Sequence, residues 1–251
     1  MPPTQPDATR ARKAQAAEIE RPAEGTLGQH AYDCIRSDIL RGHFAPGSPL
    51  RLQALKDRYG LSFSPLREAL NRLQSEQLVS SVAARGFRVT DISVAEMWDA
   101  IETRTLIDGE GLRRSIQRGD DDWEAQVLGT FHALSRVFER AFGQSGPIKD
   151  DDRDLLETRH AAYHRSLISA SGSDWMLRFS TQLYQQTQRY RWPFFSGESG
   201  DALLKQSYLA EHREIAEHAV ARREDEAVAL LARSLHRTGE VIEELHGAAK
   251  G

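Results

Sequence analysis

The 251-residue chain has one cysteine and no long apolar run. Cys34 cannot form an internal disulfide, and its place beside Ala31 and Ile35 on the apolar side of a predicted helix favours a small core residue over a nucleophile. No stretch approaches the roughly 18 consecutive apolar residues of a transmembrane helix, and residues 1–25 lack the apolar segment of a secretory signal. We therefore expect a cytoplasmic protein that does not contact a membrane.

The net charge of −4 is distributed unevenly along the chain. Residues 26–92 carry nine basic and six acidic side chains, whereas residues 93–251 carry 20 basic and 27 acidic ones. A positively charged smaller segment joined to an acidic larger one is typical of a nucleic-acid-binding module attached to a domain that need not touch DNA.

The segment 61–74, LSFSPLREALNRLQ, predicts a helix with two different faces. One stripe at helical spacing is apolar and predicts the buried face: Leu66, Ala69, Leu70 and Leu73. The other face carries side chains that can reach phosphates and base edges: Ser64, Arg67, Asn71 and Gln74. Ser64 followed by Pro65 predicts the helix start, with Ser64 as the N-cap. An ordinary solvated surface helix is the alternative interpretation.

The neighbours of this helix favour DNA binding. The preceding segment, RLQALKDRYG, predicts a short helix closed by Gly60, and two short helices joined by such a link are typical of a helix-turn-helix. The following segment, LVSSVAARGFRVTDI, predicts a two-stranded hairpin with Arg85 and Gly86 at its tip, which is the form of a wing.

The whole chain is predicted to have three parts and a mainly α fold. Residues 1–25 are rich in Pro, Ala, Gln and charge without an apolar period, which predicts a disordered tail. Residues 26–92 form the predicted winged helix-turn-helix. Residues 93–246 contain six helical periods and no convincing strand, which predicts an all-helical antiparallel bundle.

Three histidines of the second part are candidate metal ligands. His160 and His164 stand at i and i+4 and so share one helical face, and His212 lies on a later predicted helix. Three neutral imidazoles inside a bundle can hold a Zn or Ni ion. Accidental pairing among the nine histidines of the chain is the alternative.

The run HFAPGSPLRLQALKDRYGLSFSPLREALNRLQSEQLV, followed by ARGFRV, resembles the winged helix-turn-helix of the GntR family of bacterial transcription regulators. The helical remainder resembles the ligand-sensing FCD domain of the FadR-type subfamily, and is similar to the subgroup of glutarate and carbon-starvation regulators. The resemblance implies a homodimer that binds double-stranded DNA at an inverted-repeat operator. The implied DNA-binding residues are Gln53, Ser62, Ser64, Pro65, Arg67, Asn71, Arg85 and Gly86.

Two positions depart from the family pattern in this first domain. Family members usually carry arginine where this chain has Phe63, and another basic residue near Gln53. The departures imply a different operator sequence, or more reliance on Arg67 and on the shape of the DNA.

The resemblance also implies a metal site in the helical domain. Many FadR-type sensors use an Asp four residues before a His and two later histidines, and this chain has His160, His164, His212 and Ser234 at those places. His236 lies two residues further along, about 200° around a helix, so the fourth ligand stays open between Ser234 and His236. The implied cofactor is a divalent Zn or Ni ion.

An effector site is implied as well. Arg104 matches a family arginine that faces the sensor cavity, and the RYR segment 189–191 resembles a subgroup that responds to dicarboxylates such as glutarate. The implied ligand is a small carboxylate, with binding residues Arg104, Asp108, Tyr163 and Arg191. The alternatives are an Arg104 paired with Asp108 or Glu157, and a Tyr163 that belongs to the core.

Two hypotheses of different class result. The first is a homodimeric DNA-binding regulator, a repressor of a catabolic operon that a small carboxylate releases from its operator. The second is a helical metalloenzyme that uses His160, His164 and His212 with a water in the open position. The second hypothesis leaves the winged helix unexplained, so we predict a regulator and not an enzyme.

Overall fold

The structure, a computed structural model, describes residues 24–82, 86–143, 148–195 and 202–248. The elements in chain order are α1 (Glu24–Leu40), β1 (Pro49–Leu50), α2 (Leu52–Tyr59), α3 (Phe63–Ser75), β2 (Val79–Val82), β3 (Gly86–Val89), α4 (Val94–Arg118), α5 (Asp121–Phe142), α6 (Asp150–Leu167), α7 (Asp174–Phe195), α8 (Ala202–Val220) and α9 (Glu224–Ala248). This order confirms the predicted mainly α fold. The predicted tail falls on residues 1–23, which lie outside the described residues, and on the start of α1.

Helices α1 to α3 and the small sheet enclose one hydrophobic core. The predicted apolar stripe of α3 is completely buried in it: Leu66, Ala69, Leu70 and Leu73. Ala31 and Ile35 of α1 belong to the same core, but Cys34 is only half-buried. The expectation that Cys34 is a core residue was therefore wrong, because the side chain lies at the edge of the core beside His30.

The start of α3 differs from the prediction. The helix begins at Phe63, and Ser62 occupies the N-cap position with an extended backbone, φ −71° and ψ 167°. Ser64 is therefore inside the first turn and is not the cap, and Pro65 is the third helical residue. Proline is tolerated there because the first amides of a helix have no intrahelical acceptor.

The sheet has three strands in the order β1-β3-β2, all antiparallel. The predicted hairpin of β2 and β3 is present, with Val79 opposite Val89 and Val82 opposite Gly86. Strand β1, which pairs Leu50 with Phe87, was not predicted from the sequence. Gly86 has a φ of +81°, in the left-handed region that favours glycine, whereas Arg85 lies outside the described residues.

Helices α4 to α9 form the predicted six-helix unit around a second core. Helix α4 packs against α7 and α9, and α5 packs against α6 and α8. Side chains cap two of the helix starts, since Ser93 accepts from the amide of Glu96 at 3.2 Å and Asp120 accepts from the amide of Trp123 at 3.0 Å. Within the described ranges, none of the helices combines the length and the apolar character that crossing a membrane requires.

Helix α7 contacts both halves of the molecule. On its N-terminal-domain side, Gln188 accepts from Nη2 of Arg36 at 2.6 Å, and Gln186 donates to the backbone carbonyl of Glu76. On its other side, Tyr184 and Arg191 are buried among the histidines of the helical bundle. The same helix therefore joins the first domain to the interior of the second.

Candidate DNA-binding surface and metal centre

The exposed face of α3 carries the predicted DNA contacts. Ser64, Arg67 and Asn71 are exposed on the side opposite the buried leucines. Arg67 makes no hydrogen bond or ion pair with the part of the chain that the structure describes, so its guanidinium is available to phosphate or base edges. Pro65, by contrast, is buried, so it is not part of this exposed face.

The surroundings of α3 supply further exposed polar groups. Ser62 is exposed at the N-terminus of α3, and Gln53 is exposed on α2, where its amide donates to Asp57 at 2.9 Å. On the wing, Gly86 is exposed, and Arg88 donates through Nη2 to the carbonyl of Gly47 at 2.6 Å. Arg88 of β3 is therefore hydrogen-bonded to the loop that precedes β1.

Helices α6 and α8 bring three imidazoles together in the bundle. His160, His164 and His212 are all buried, with exposed fractions of 3%, 4% and 1%. The Nε2 atom of His160 lies 3.0 Å from Nε2 of His164 and 3.2 Å from Nε2 of His212. The i, i+4 spacing aligns the first two rings on α6, and the packing of the bundle brings the third from α8.

The hydrogen bonds of the Nδ1 atoms indicate which ring nitrogens carry protons. Nδ1 of His212 lies 2.8 Å from the carbonyl of Tyr208, an acceptor only, so Nδ1 carries the hydrogen and Nε2 is bare. Nδ1 of His160 lies 2.7 Å from the hydroxyl of Tyr184, which donates in turn to the carbonyl of Glu157 at 3.4 Å. Such partners orient a ring so that Nε2 is presented as a ligand.

All three imidazoles are neutral near pH 7. Burial, followed by the neighbouring imidazoles and guanidinium groups, holds the pKa values of His160 and His164 well below the usual range. Burial lowers the pKa of His212 to about 4. Neutral imidazole is the form that binds a metal ion.

The three nitrogens fit a metal ion better than a hydrogen-bonded cluster. Nε2 of His160 and Nε2 of His212, 3.2 Å apart, are both unprotonated when the Nδ1 atoms carry the hydrogens, so no hydrogen bond can join them. Nitrogens at about 2.0–2.1 Å from a tetrahedral ion lie about 3.3 Å from one another, close to the observed separations. A Zn or Ni ion is compatible with this donor set.

Two buried guanidinium groups lie beside the histidines. Arg104 donates through Nε to Asp108 at 2.8 Å, and Arg191 donates through Nη2 to Glu157 at 2.6 Å. Burial disfavours the charged form of Arg191, but Glu157, Tyr184 and Tyr208 together raise its pKa above the usual value. Nη2 of Arg104 and Nε of Arg191 have no hydrogen-bond partner among the residues that the structure describes. Buried donors of this kind favour an anionic partner.

These groups surround a small cavity. Its lining includes the three histidines and both arginines, together with Thr187, Ser234 and Thr238. Its volume of about 20 Å³ has room for one ion or one water molecule. Ser234 faces this cavity, whereas the exposed His236 packs against Trp98 with 5.8 Å between ring centroids, so His236 is not a member of the cluster.

The other two predicted effector residues, Asp108 and Tyr163, are not among the residues that line the cavity. Asp108 is buried and pairs with Arg104, which was the alternative interpretation of that arginine. Tyr163 is fully buried in the core and donates to the carbonyl of His212 at 2.7 Å, so it supports the ligand helix and does not line the cavity.

The sequence analysis missed Tyr184 and Thr187, which contact His160 and Arg191 from α7. A signal was present, because positions 184, 187 and 191 recur at helical spacing and therefore share one face of the helix.

Comparisons with known proteins agree with this architecture. Residues 27–89 match the gntR family of bacterial regulatory proteins, and residues 99–237 match the FCD domain. The chain is 38% identical over 166 residues to the uncharacterized HTH-type transcriptional regulator BphR of Paraburkholderia xenovorans, an alignment that spans 66% of each chain. It is 34% identical over 160 residues to the HTH-type transcriptional repressor GlaR of Escherichia coli K12, with 64% of this chain and 70% of that protein aligned.

Solved structures show the same fold. The E. coli protein McbR/YncC superposes with a TM-score of 0.69 at 15% identity, covering 88% of this chain and 98% of that one. A GntR regulator from Rhodococcus sp. RHA1 superposes with a TM-score of 0.67 at 17% identity, covering 87% and 98%. From its helix-turn-helix and its FCD domain, the chain belongs to the GntR family of bacterial transcription regulators, and it is a DNA-binding regulator and not an enzyme.

Proposed function

We propose that this regulator represses a catabolic operon from an inverted-repeat operator, and that a small carboxylate bound beside a metal ion in the helical domain releases it. The observation that carries the proposal is the buried cluster of three imidazoles, whose Nε2 atoms lie 3.0 and 3.2 Å apart, with two guanidinium groups around one cavity. Relatives named as repressors, including GlaR, support repression over activation of transcription. A regulator of this kind acts in the cytoplasm, where bacterial DNA is located.

A divalent Zn or Ni ion would be held by His160, His164 and His212. The donor set is complete for a three-histidine site, and a position toward Ser234 is left for a further ligand atom. When bound, the ion supplies positive charge and an open coordination position, which suit a carboxylate oxygen.

A carboxylate ligand would also satisfy the unpartnered donors of the cavity. Nη2 of Arg104 and Nε of Arg191 are available on the two guanidinium groups, and both groups lie over the ring of Tyr184, at 4.8 Å and 4.3 Å from its centroid. Charge-assisted hydrogen bonds from two arginines to one ligand select an anion with two acceptor groups, such as a short dicarboxylate.

Entry of such a ligand requires the bundle to rearrange. A cavity of about 20 Å³ accepts an ion or a water molecule but not a molecule with nine or ten heavy atoms. Helix α7 supplies Thr187 and Arg191 to the cavity and also carries Gln186 and Gln188, which contact the N-terminal domain. A ligand that displaces α7 would therefore have different affinities for two conformations of the protein that differ in the position of the DNA-binding domain. Such a difference in affinity is the condition for a regulatory response.

A second copy of the chain would complete the operator-binding unit. Exposed apolar side chains lie on the outer sides of α4 and α7: Leu106 (75% exposed), Trp175 (64%) and Phe179 (46%). Burial of this surface between two copies would remove the apolar side chains from water. It would also relate the two recognition helices of the dimer by a two-fold axis.

The experiment is selection of genomic fragments from the source bacterium by the purified full-length protein, followed by measurement of its bound metal. We expect recovery of a short inverted repeat upstream of a catabolic operon, and about one Zn or Ni ion per chain. The His164→Ala variant should lose the metal, whereas His132→Ala, at an exposed histidine of α5, should retain it. Recovery of no repeat would contradict the operator assignment, and equal metal content in both variants would exclude the histidine cluster.

A further inference from the structure

Phe63 is an exposed aromatic residue at the start of the recognition helix. Its side chain is 42% exposed, and it is not among the residues that pack against the core of the N-terminal domain. The other large apolar side chains that are exposed in the described ranges belong to the helical domain. The contact that holds the ring comes from α2, where Nζ of Lys56 lies 5.2 Å from the ring centroid.

Phe63 lies at the border between the DNA-binding face of α3 and its buried apolar stripe. Arg67 follows it by four residues and Asn71 by eight, which places the three side chains within about 80° around the helix axis. All three are exposed, whereas the buried Leu70 lies about 20° from Phe63 in the other direction around the axis. When a recognition helix enters the major groove, its N-terminal residues approach the base edges. Phe63 is the first residue of α3.

The chemistry of the major groove limits what this ring can recognise. A phenyl ring neither donates nor accepts a conventional hydrogen bond, so it would leave the polar edge of guanine, adenine or cytosine without a partner. Thymine is different, because its C5-methyl group projects into the major groove as an apolar contact.

We propose that Phe63 reads the C5-methyl group of one thymine in each operator half-site, at the base pair that faces the N-terminus of α3. The residue thus determines a preference for thymine over cytosine, whose edge has no methyl group. The proposal rests on the assignment of α3 as the recognition helix and is independent of the metal and of the effector.

The test uses duplexes selected from a random pool by the full-length protein. Each thymine of the selected site is replaced in turn by deoxyuridine, which removes the methyl group and leaves the base pairing unchanged. We expect one position per half-site to weaken binding about fourfold, the factor that corresponds to removing one buried methyl group from the contact. Replacement in both half-sites should weaken binding about 15-fold, since the two contacts are independent.

Substitutions of Phe63 test whether its phenyl ring causes the weaker binding to deoxyuridine duplexes. Phe63→Ala should bind the thymine and deoxyuridine duplexes equally, whereas Phe63→Leu, which keeps an apolar side chain, should retain most of the discrimination. A selection repeated with Phe63→Ala should lose the thymine preference at that base pair and keep the rest of the site. Arg67→Ala in the same assay reports separately on whether α3 is the recognition helix.

Four results would overturn the proposal. One is a selected site with no fixed thymine in either half, or no selected site at all. Another is a deoxyuridine series with no effect on the wild type. The third is a deoxyuridine effect that persists in Phe63→Ala, which would mean that another side chain reads the methyl group. A Phe63→Ala variant that weakens all duplexes equally would also overturn it, because the ring would then serve to position Lys56 at a phosphate.

Discussion

Acidification of the metal-free protein should destabilise the helical domain through its buried histidines. In the folded state His160, His164 and His212 are neutral, because burial lowers their pKa values. In the unfolded chain each imidazole regains its ordinary pKa of about 6.5. Below pH 6.5 the unfolded state therefore binds more protons than the folded state, and the free energy of unfolding falls as the pH falls. This contribution is complete above pH 6.5 and is lost progressively toward pH 4.

The size of the effect follows from the pKa of His212, which is about 4 in the folded chain. A difference of about 2.5 pH units from the unfolded value corresponds to about 3 kcal/mol of stability by pH 4. Between pH 7 and pH 5.5, where most carboxylates stay ionised, His212 costs about 1 kcal/mol, and His160 and His164 add losses in the same direction. The contribution of His212 alone lowers the melting temperature by about 2–4 °C in a domain of this length.

The assay is thermal or urea unfolding in the presence of a chelator, followed by tryptophan fluorescence. All four tryptophans lie between residues 98 and 192, so this signal reports on the helical domain. His212→Gln should reduce the pH dependence, whereas His132→Gln, at an exposed site on α5, should leave it unchanged. A His212→Gln variant with the full wild-type slope would refute the reasoning, since the buried imidazole could not then be the group that titrates.

Other consequences can be measured separately. Arg67→Ala should weaken binding to the selected operator by about 1–3 kcal/mol if its guanidinium reads a base, as measured by fluorescence anisotropy, and equal losses on operator and random DNA would exclude base reading. Leu106→Glu should convert the proposed dimer to a monomer in sedimentation experiments by placing a charge in the apolar surface. Leu128→Glu, at an exposed leucine of α5, is the matched control, and dimers in both variants would place the interface elsewhere. Added Zn²⁺ should raise the melting temperature of the chelator-treated protein at pH 7, and a chelator should reverse the change; an unchanged melting temperature would argue against the metal site.

The recognition helix was the part of the fold that the sequence predicted best. Its apolar stripe repeats over two turns with strong contrast between faces, so burial of Leu66 and Leu70 follows from periodicity. The exact start of the helix does not follow from periodicity, because Ser62 and Ser64 are both acceptable N-caps. The choice between them depends on how the chain enters the helix from α2. Strand β1 is two residues long and begins with Pro49, which gives no alternation of side chains to detect.

The histidine cluster was predictable in part. The i, i+4 pair on α6 is a local property of the sequence, whereas the approach of His212 depends on the packing of α8 against the bundle. The choice between Ser234 and His236 depended on the rotation of α9, which turns His236 outward onto Trp98. The partners of Arg104 and Arg191 are likewise set by packing, and the sequence offered several carboxylates within reach.

The most direct test of the central claim is operator binding as a function of zinc and a short dicarboxylate such as glutarate, measured by fluorescence anisotropy. We expect Zn²⁺ and the dicarboxylate together to release the wild type and the His132→Ala control from the operator. The His164→Ala variant should bind the operator with wild-type affinity and should not be released. Release of His164→Ala at the same ligand concentration would contradict the account, because the response would then arise outside the buried histidine site.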